Sequence, residues 1–472
     1  MADILDLDAT GQLAELAAGR VSAVELLKLS MDRREETHAR LNAVVVVDPE
    51  AGLRQAGASD AARGKGEAQG PLAGLPMTLK DTLDVAGMPA SAGLAHLRDR
   101  TCEDAVTVAR ARAAGAVIWG KTNVPVMAGD WQSYNDLYGA SNNPWDVTRT
   151  TGGSSGGAAS ALATGITALE IGSDIGGSLR VPANFCGVYS HKPTWGAVPQ
   201  IGHIPPHPGA RAPRDLNVVG PMARSARDLK LLFSIIADAP APAQAPPSLR
   251  GLKVGLWLDE PRYPLDPQVR EVIEAYAGQL SALGAAVEPM ASPFDALQLE
   301  RAYRTLLGAV IATDMPPEAR AEMAKMRPMA LAAGPDSPLA TILAYTATHA
   351  EWLEADEVRW RVRDQALVAF ERFDLILAPV TAVAAFPHDH IPFQERELKL
   401  STGKAIPYTS MLNWIGLATA CGLPATCVPA GLTAGGLPVG VQLIGPPGAD
   451  AATMAAAEAF EVVRGFVKPP AV

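Results

Sequence analysis

Along this chain, stretches with helical spacing of apolar residues alternate with short unbroken apolar runs. Ser22-Ala-Val-Glu25 has the form of a capping box, with Ser at the N-cap and Glu three positions on. It opens a helix in which Val24, Leu26, Leu27 and Met31 share one side. Residues 43–47, Ala-Val-Val-Val-Val, read as a buried strand. Thr107 to Ala114 reads as a helix stopped by Gly115, and Ala116 to Trp119 as the strand after it. Residues 252–258, Leu-Lys-Val-Gly-Leu-Trp-Leu, form another strand, and Pro267 to Leu306 is mostly helical. This alternation predicts an α/β layered sheet rather than a helix bundle. The stretch DAPAPAQAPPS at 238–248 has the composition of a domain boundary, and 310–350, rich in Met, Ala and Pro, predicts a helical cover.

Composition narrows the class. With 48% hydrophobic and 19% charged residues over 472 positions, the chain has the make-up of a globular enzyme with a large core. No run approaches the roughly 18 apolar residues of a membrane span. The start, MADILDLDATGQ, is acidic where a signal peptide is basic and then apolar, so the expected location is the cytoplasm. Cys102, Cys186, Cys421 and Cys427 lack metal spacing and are expected as free thiols. A net charge of −10 argues against nucleic acid as a partner, because phosphate contacts need clustered Lys and Arg.

The chemistry is concentrated in two serine-glycine segments, Gly152-Gly-Ser-Ser-Gly-Gly157 and Ser173-Asp-Ile-Gly-Gly-Ser178, and in Lys80, which follows the apolar stretch Leu75-Pro-Met-Thr-Leu. Each alone is common in loops. Two short matches point elsewhere. Gly152 to Gly156 fits G-x-S-x-G, which would make Ser154 the nucleophile of a Ser-His-Asp enzyme with His349, His388 or His390 as base. The polar, turn-rich residues 142–151 before it do not supply the strand that motif needs. Gly115 to Thr122 fits the P-loop pattern G-x-x-x-x-G-K-[ST], but a helix precedes it and the intervening residues are strand-like, so no phosphate cradle is expected.

Taken together and in order, these segments resemble the amidase signature family, whose members hydrolyse amides with a Ser-cisSer-Lys triad. The likeness runs from Arg20-Val-Ser22 and Leu41-Asn-Ala-Val44 through LAGLPMTLKDTLDVAGMPASAG (72–93), AGAVIWGKTNVP, NNPWDVTRTTGGSSGG, GSDIGGSLRVPANFCGVYSHKPTWG and VVGPMARSARDL to TACGLPATCVPAGLTAGGLPVGVQLIGPP (419–447). It implies an α/β fold with a central twisted mixed β-sheet covered by helices on both faces. It also implies one domain over 1–472, with a variable helical cover around 265–350 and with 238–248 as a surface crossing. Carried onto this sequence, Ser178 is the nucleophile, Ser154 the bridging acid/base after a cis Gly153–Ser154 bond, and neutral Lys80 the base. Ile175, Gly176, Gly177 and Ser178 supply the oxyanion hole, glycine allowing close approach of the backbone. Asp174 and Arg180 are read as a structural pair and Ser155 as a hydrogen-bonding neighbour.

The resemblance places Met127, Trp131, Tyr134, Trp414 and Ile415 about the substrate and calls for neither metal nor organic cofactor. From these aromatics the expected substrate is a neutral, aryl-bearing small-molecule amide, with ester or carbamate as further possibilities, cleaved by a monomer or homodimer. The alternative is a glutamine-hydrolysing amidotransferase subunit that depends on a partner. Arg211 and Arg214, in or beside the segment HIPPHPGARAP (203–213), are the cations available for an amino-acid carboxylate.

Overall fold

The computed structural model of the chain describes residues 3–240 and 242–470; residues 1, 2, 241, 471 and 472 lie outside it. The capping box forms as the sequence implies. Ser22 Oγ accepts from the Glu25 N–H at 3.1 Å, and the Glu25 carboxylate accepts from the Ser22 N–H at 2.8 Å. The helix it opens, Ala23–Leu41, ends at Asn42, whose φ of 48° is a left-handed conformation that asparagine tolerates.

A small sheet follows from β1 (Val44–Val47), β2 (Pro76–Lys80) and β3 (Val117–Thr122), in the order β1-β3-β2. Here β3 runs antiparallel to β1 and parallel to β2. Strand β3 continues past Trp119, so the Gly-Lys-Thr end of the P-loop match lies within a strand. Its Lys121 is fully buried, donates to the carbonyls of Leu83 and Pro89, and lies 3.3 Å from Asp81.

The large sheet has eight strands: β4 (Leu169–Asp174), β5 (Tyr189–Lys192), β6 (Val218–Ala223), β7 (Lys253–Asp259), β8 (Ala286–Ala291), β9 (Leu375–Pro379), β10 (Ala425–Leu432) and β11 (Pro438–Ile444), in the order β8-β7-β9-β11-β10-β5-β6-β4. Strand β7 pairs parallel with β8 and β9, and every other pairing is antiparallel. Successive side chains of β9 show why its sequence is an unbroken apolar run. Leu375 and Leu377 enter one core cluster while Ile376 and Ala378 enter the other, so both faces of the sheet are buried. The helices Ala226–Ile236, Pro267–Ala282 and Asp450–Phe460 contribute to the first cluster. Ala296–Ala312, His349–Ala369 and Met411–Ala420 contribute to the second.

The Pro/Ala-rich stretch at 238–248 is exposed over most of its described length, and the strands on either side of it, β6 and β7, belong to the same sheet. The expected run of helix from Pro267 to Leu306 is interrupted by β8. Gly284, at φ +100°, turns the chain out of the helix, and β8 then adds to β7 at the sheet's edge, where Pro289 can sit without costing a ladder hydrogen bond inside the sheet. No helix among the described residues is long and apolar enough to cross a membrane.

The two sheets meet where the chemistry lies. Thr78 of β2 donates its N–H to Thr167 Oγ1 at 3.3 Å and its hydroxyl to Glu170 Oε1 of β4 at 2.5 Å. Thr78 and Lys80 share one face of β2 by the two-residue period, so this join carries Lys80 to the end of β4.

Candidate active site

Lys80 is fully buried, and its Nζ lies 2.7 Å from Ser154 Oγ and 2.9 Å from Ser173 Oγ. Burial, against the opposing pull of Asp174 and Glu170, lowers its pKa from 10.5 to about 7, because a charged amine is poorly solvated there. Glu170 is buried as well, and desolvation pushes its carboxyl up to about 8 despite the hydrogen bond from Thr78. Near pH 7 Glu170 is therefore largely protonated and does little to hold a charge on the lysine.

Ser154 sits in the loop that leads into the helix Gly156–Ala163, and the Gly153–Ser154 bond is cis. The loop admits no side chain at position 153, since a Cβ there would overlap Asp130 O. Ser133 fastens it: its Oγ accepts from Gly156 N–H and donates to Gly152 O. The Ser155 N–H donates to Ser178 O at 3.2 Å, which joins the loop to the second serine-glycine segment.

That second segment leaves the end of β4 and wraps around the Asp174 carboxylate. Asp174 accepts from the Gly177 N–H (2.8 Å), the Leu179 N–H (3.2 Å) and the Arg180 guanidinium (3.0 and 3.1 Å), all fully buried. Burial opposes this charge, but Arg180, with help from Lys192 and the Gly177 N–H, holds the carboxyl below its usual range. Gly177 has a φ of +92°, and a Cβ there would meet Val181 Cγ2 at 2.9 Å, so the turn requires glycine. The N–H of Gly177 is committed to Asp174, whereas those of Ile175, Gly176 and Ser178 have no intramolecular acceptor among the described residues. Two side chains set the turn's peptide planes: Tyr303 Oη donates to Ile175 O and Trp131 Nε1 to Gly176 O, each at 2.7 Å. In a trans peptide the C=O and the next N–H point opposite ways, so Tyr303 directs the Gly176 N–H away from itself.

Of the residues expected about the substrate, Trp131 and Ile415 lie against the turn after β4. Trp131 is nearly buried against Tyr408 and Phe393. Trp414 is fully enclosed by Trp257 and Tyr263, with its indole N–H on Pro264 O. Ile415 is buried beside Gly177, and its carbonyl accepts from Arg180. Tyr134 receives a hydrogen bond from Arg396 and stacks on His390, and Met127 packs by Ala92 and Ile204. Of the histidines singled out by sequence, His349 stacks on Trp352, while His388 and His390 lie next to one another. The histidine beside the lysine is His203, whose Nε2 is 2.8 Å from Ser173 Oγ. Neither Ser173 nor His203 was singled out by sequence. The serine-glycine segment that Ser173 opens gave some signal for the first, but nothing local marked the second. Arg211 is exposed, whereas Arg214 is buried, with Nη2 on Val310 O and Asp314 and with Nε and Nη1 lacking a partner among the described residues. A cavity of about 910 Å³, lined by Arg40, Trp145, Asp266 and Phe386 among others, includes none of Lys80, Ser154 and Ser178.

The family model described as Amidase matches residues 25–454. The chain belongs to the amidase family. At that level it is an enzyme of carbon–nitrogen bonds. Among its relatives, a glutamyl-tRNA(Gln) amidotransferase subunit from Moorella thermoacetica is 33% identical over 93% of each chain. The protein of the same name from Heliobacterium modesticaldum is 32% identical over 95% of each. Among solved structures of the amidase fold, the native peptide amidase from Stenotrophomonas maltophilia superposes with a TM-score of 0.78 at 27% identity, over 98% of each chain. These full-length relatives overturn the expectation of a neutral, aryl-bearing amide, ester or carbamate substrate and favour the amidotransferase alternative. The physical reason for the misreading is visible in the aromatics. Trp131 and Trp414 spend their N–H groups on backbone carbonyls and their faces on the core.

Proposed function

We propose that this amidase-family chain hydrolyses the side-chain amide of glutamine, as the ammonia-releasing subunit of an amidotransferase. The observation that carries this reading is the full-length relationship to subunits of glutamyl-tRNA(Gln) amidotransferases. The arrangement of Lys80, Ser154 and the Ser178 turn gives it a mechanism. Neutral Lys80 takes the proton of Ser154, Ser154 takes that of Ser178, and Ser178 Oγ bonds to the amide carbon. The N–H groups of Gly176 and Ser178 face the developing oxyanion. The proton returns through Ser154 to the amide nitrogen, the C–N bond breaks and ammonia leaves. Water then cleaves the acyl-enzyme by the same relay and releases glutamate. Arg214, paired with Asp314 through Nη2 but with Nε and Nη1 lacking a partner among the described residues, is the cation we assign to the α-carboxylate of glutamine.

The test is incubation of the purified chain with glutamine, following glutamate and ammonia, alongside labelling of Ser178 by a fluorophosphonate. Glutamate formation that disappears in Ser178→Ala supports the reading. An enzyme that takes the label on Ser178 yet releases no glutamate refutes glutamine as substrate. Arg214→Leu is expected to raise KM for glutamine about tenfold or more with kcat little changed.

A further inference from the structure

Lys80 is one end of a buried chain of hydrogen bonds that runs onto the 201–216 segment. Its Nζ is 2.9 Å from Ser173 Oγ, Ser173 Oγ is 2.8 Å from His203 Nε2, and His203 Nδ1 is 2.8 Å from Pro205 O. A carbonyl oxygen can only accept, so the Nδ1 of His203 carries the hydrogen. Burial and the nearby Lys80 charge, against the bond to Pro205, lower the His203 pKa to about 3, so the ring is neutral and its Nε2 is a bare lone pair. The single hydroxyl proton of Ser173 must then point to His203. Ser173 Oγ is left able only to accept, and its donor is an N–H of Lys80.

We propose that His203 is a positioning residue for the base of this site, acting through Ser173 to aim the Lys80 lone pair at the Ser154 hydroxyl. A neutral primary amine has two N–H bonds and one lone pair. With one N–H fixed on Ser173, the lone pair is available to Ser154 Oγ at 2.7 Å. Without His203 the Ser173 hydroxyl is free to turn and donate to that lone pair, which takes the base out of use. The inference rests on the role given to Lys80 above, but it does not depend on glutamine being the substrate.

The test therefore uses a probe that needs only an activated Ser178. An alkyl fluorophosphonate forms a Ser178 Oγ–P bond, fluoride leaves, and the serine proton passes to Lys80. Its labelling rate is measured from pH 5 to 10 in wild type, His203→Leu, His203→Gln and Ser173→Ala. The groups facing the relay are Asp174 and Glu170 from β4 for Lys80, and Arg214 for His203. For His203→Leu the plateau rate is expected to fall about 10- to 100-fold, less than the roughly 10²–10⁴-fold that loss of the general base itself would cost. The acidic limb is expected to move to lower pH, because a Ser173 hydroxyl that donates to the amine stabilises its neutral form.

His203→Gln, whose side-chain oxygen can accept in place of Nε2, is expected to restore most of the plateau. An unchanged rate and profile in His203→Leu overturns the proposal, as does an equal loss at every pH that His203→Gln does not repair. If His203→Leu does not fold, Ser173→Ala and His203→Gln decide. Ser173→Ala should lower the plateau while His203→Gln should not, and any other pattern overturns the proposal. Wild-type labelling without glutamate release removes the glutamine reading and leaves this one standing. Labelling of Lys80→Ala at the wild-type rate removes both the base and its positioning.

Discussion

Lys80 can serve as a base only while its amine is neutral, and burial brings that within reach by lowering its pKa to about 7. The sign follows directly. Below about pH 7 the lysine is charged and inactive, so kcat/KM should rise with pH through that region and level off above it. Lys80→Ala is expected to lower kcat by at least about a thousandfold and to abolish that limb; a variant with near wild-type turnover at both pH 6 and pH 9 counts against the assignment. Replacing His349, His388 and His390 together by Ala should leave substantial activity, since none of them contacts the Lys80 relay. Tyr303→Phe removes the hydrogen bond to Ile175 O. It should cost about tenfold in kcat with little change in KM, because the peptide plane that presents the Gly176 N–H loses one of its anchors. Equal losses in kcat and affinity would instead assign Tyr303 to ligand binding.

Among the elements, the turn after β4 depends on one carboxylate. Asp174 holds two backbone N–H groups and the guanidinium of Arg180, both side chains with no exposure to solvent. Removing one member of such a pair strands a buried charge, so Asp174→Ala should lower unfolding stability by about 3–5 kcal/mol, measured by denaturant midpoint. The capping box of Ala23–Leu41 offers the contrast. Ser22→Ala should cost about 1 kcal/mol of stability and leave kcat and KM unchanged, because that cap touches none of the catalytic candidates. A kinetic defect in Ser22→Ala would mean that this helix end communicates with the site.

For the molecule as a whole, the buried amine links catalysis to stability. The folded pKa of Lys80 is near 7 and its ordinary value 10.5, so between these pH values the unfolded chain binds more protons and folding stability rises with pH. Lys80→Met removes that dependence. Its stability advantage over wild type should be largest below about pH 7 and shrink towards pH 10.5, by denaturant midpoints at pH 6 and pH 9. A constant advantage would show that Lys80 stays protonated in the folded protein throughout this range. Glu170, protonated below about pH 8, offers no compensating charge in the lower part of this range.

Much of this molecule can be read from local sequence, because the relevant physics is local. The cap at Ser22, the break at Gly115, the unbroken apolar runs of buried strands and the two serine-glycine loops each depend on neighbouring residues alone. The layered α/β architecture follows from their alternation. What only the tertiary structure decided depends on contacts between distant segments. The aromatics Trp131 and Trp414 have the same sequence signature whether they line a pocket or brace a backbone, and folding assigns them to the backbone. Strand β8 exists because β7 offers an edge for it to join. The chain from Lys80 through Ser173 to His203 joins three separate segments, and the direction of each of its protons is set by a carbonyl, Pro205 O, that no local pattern marks as an acceptor.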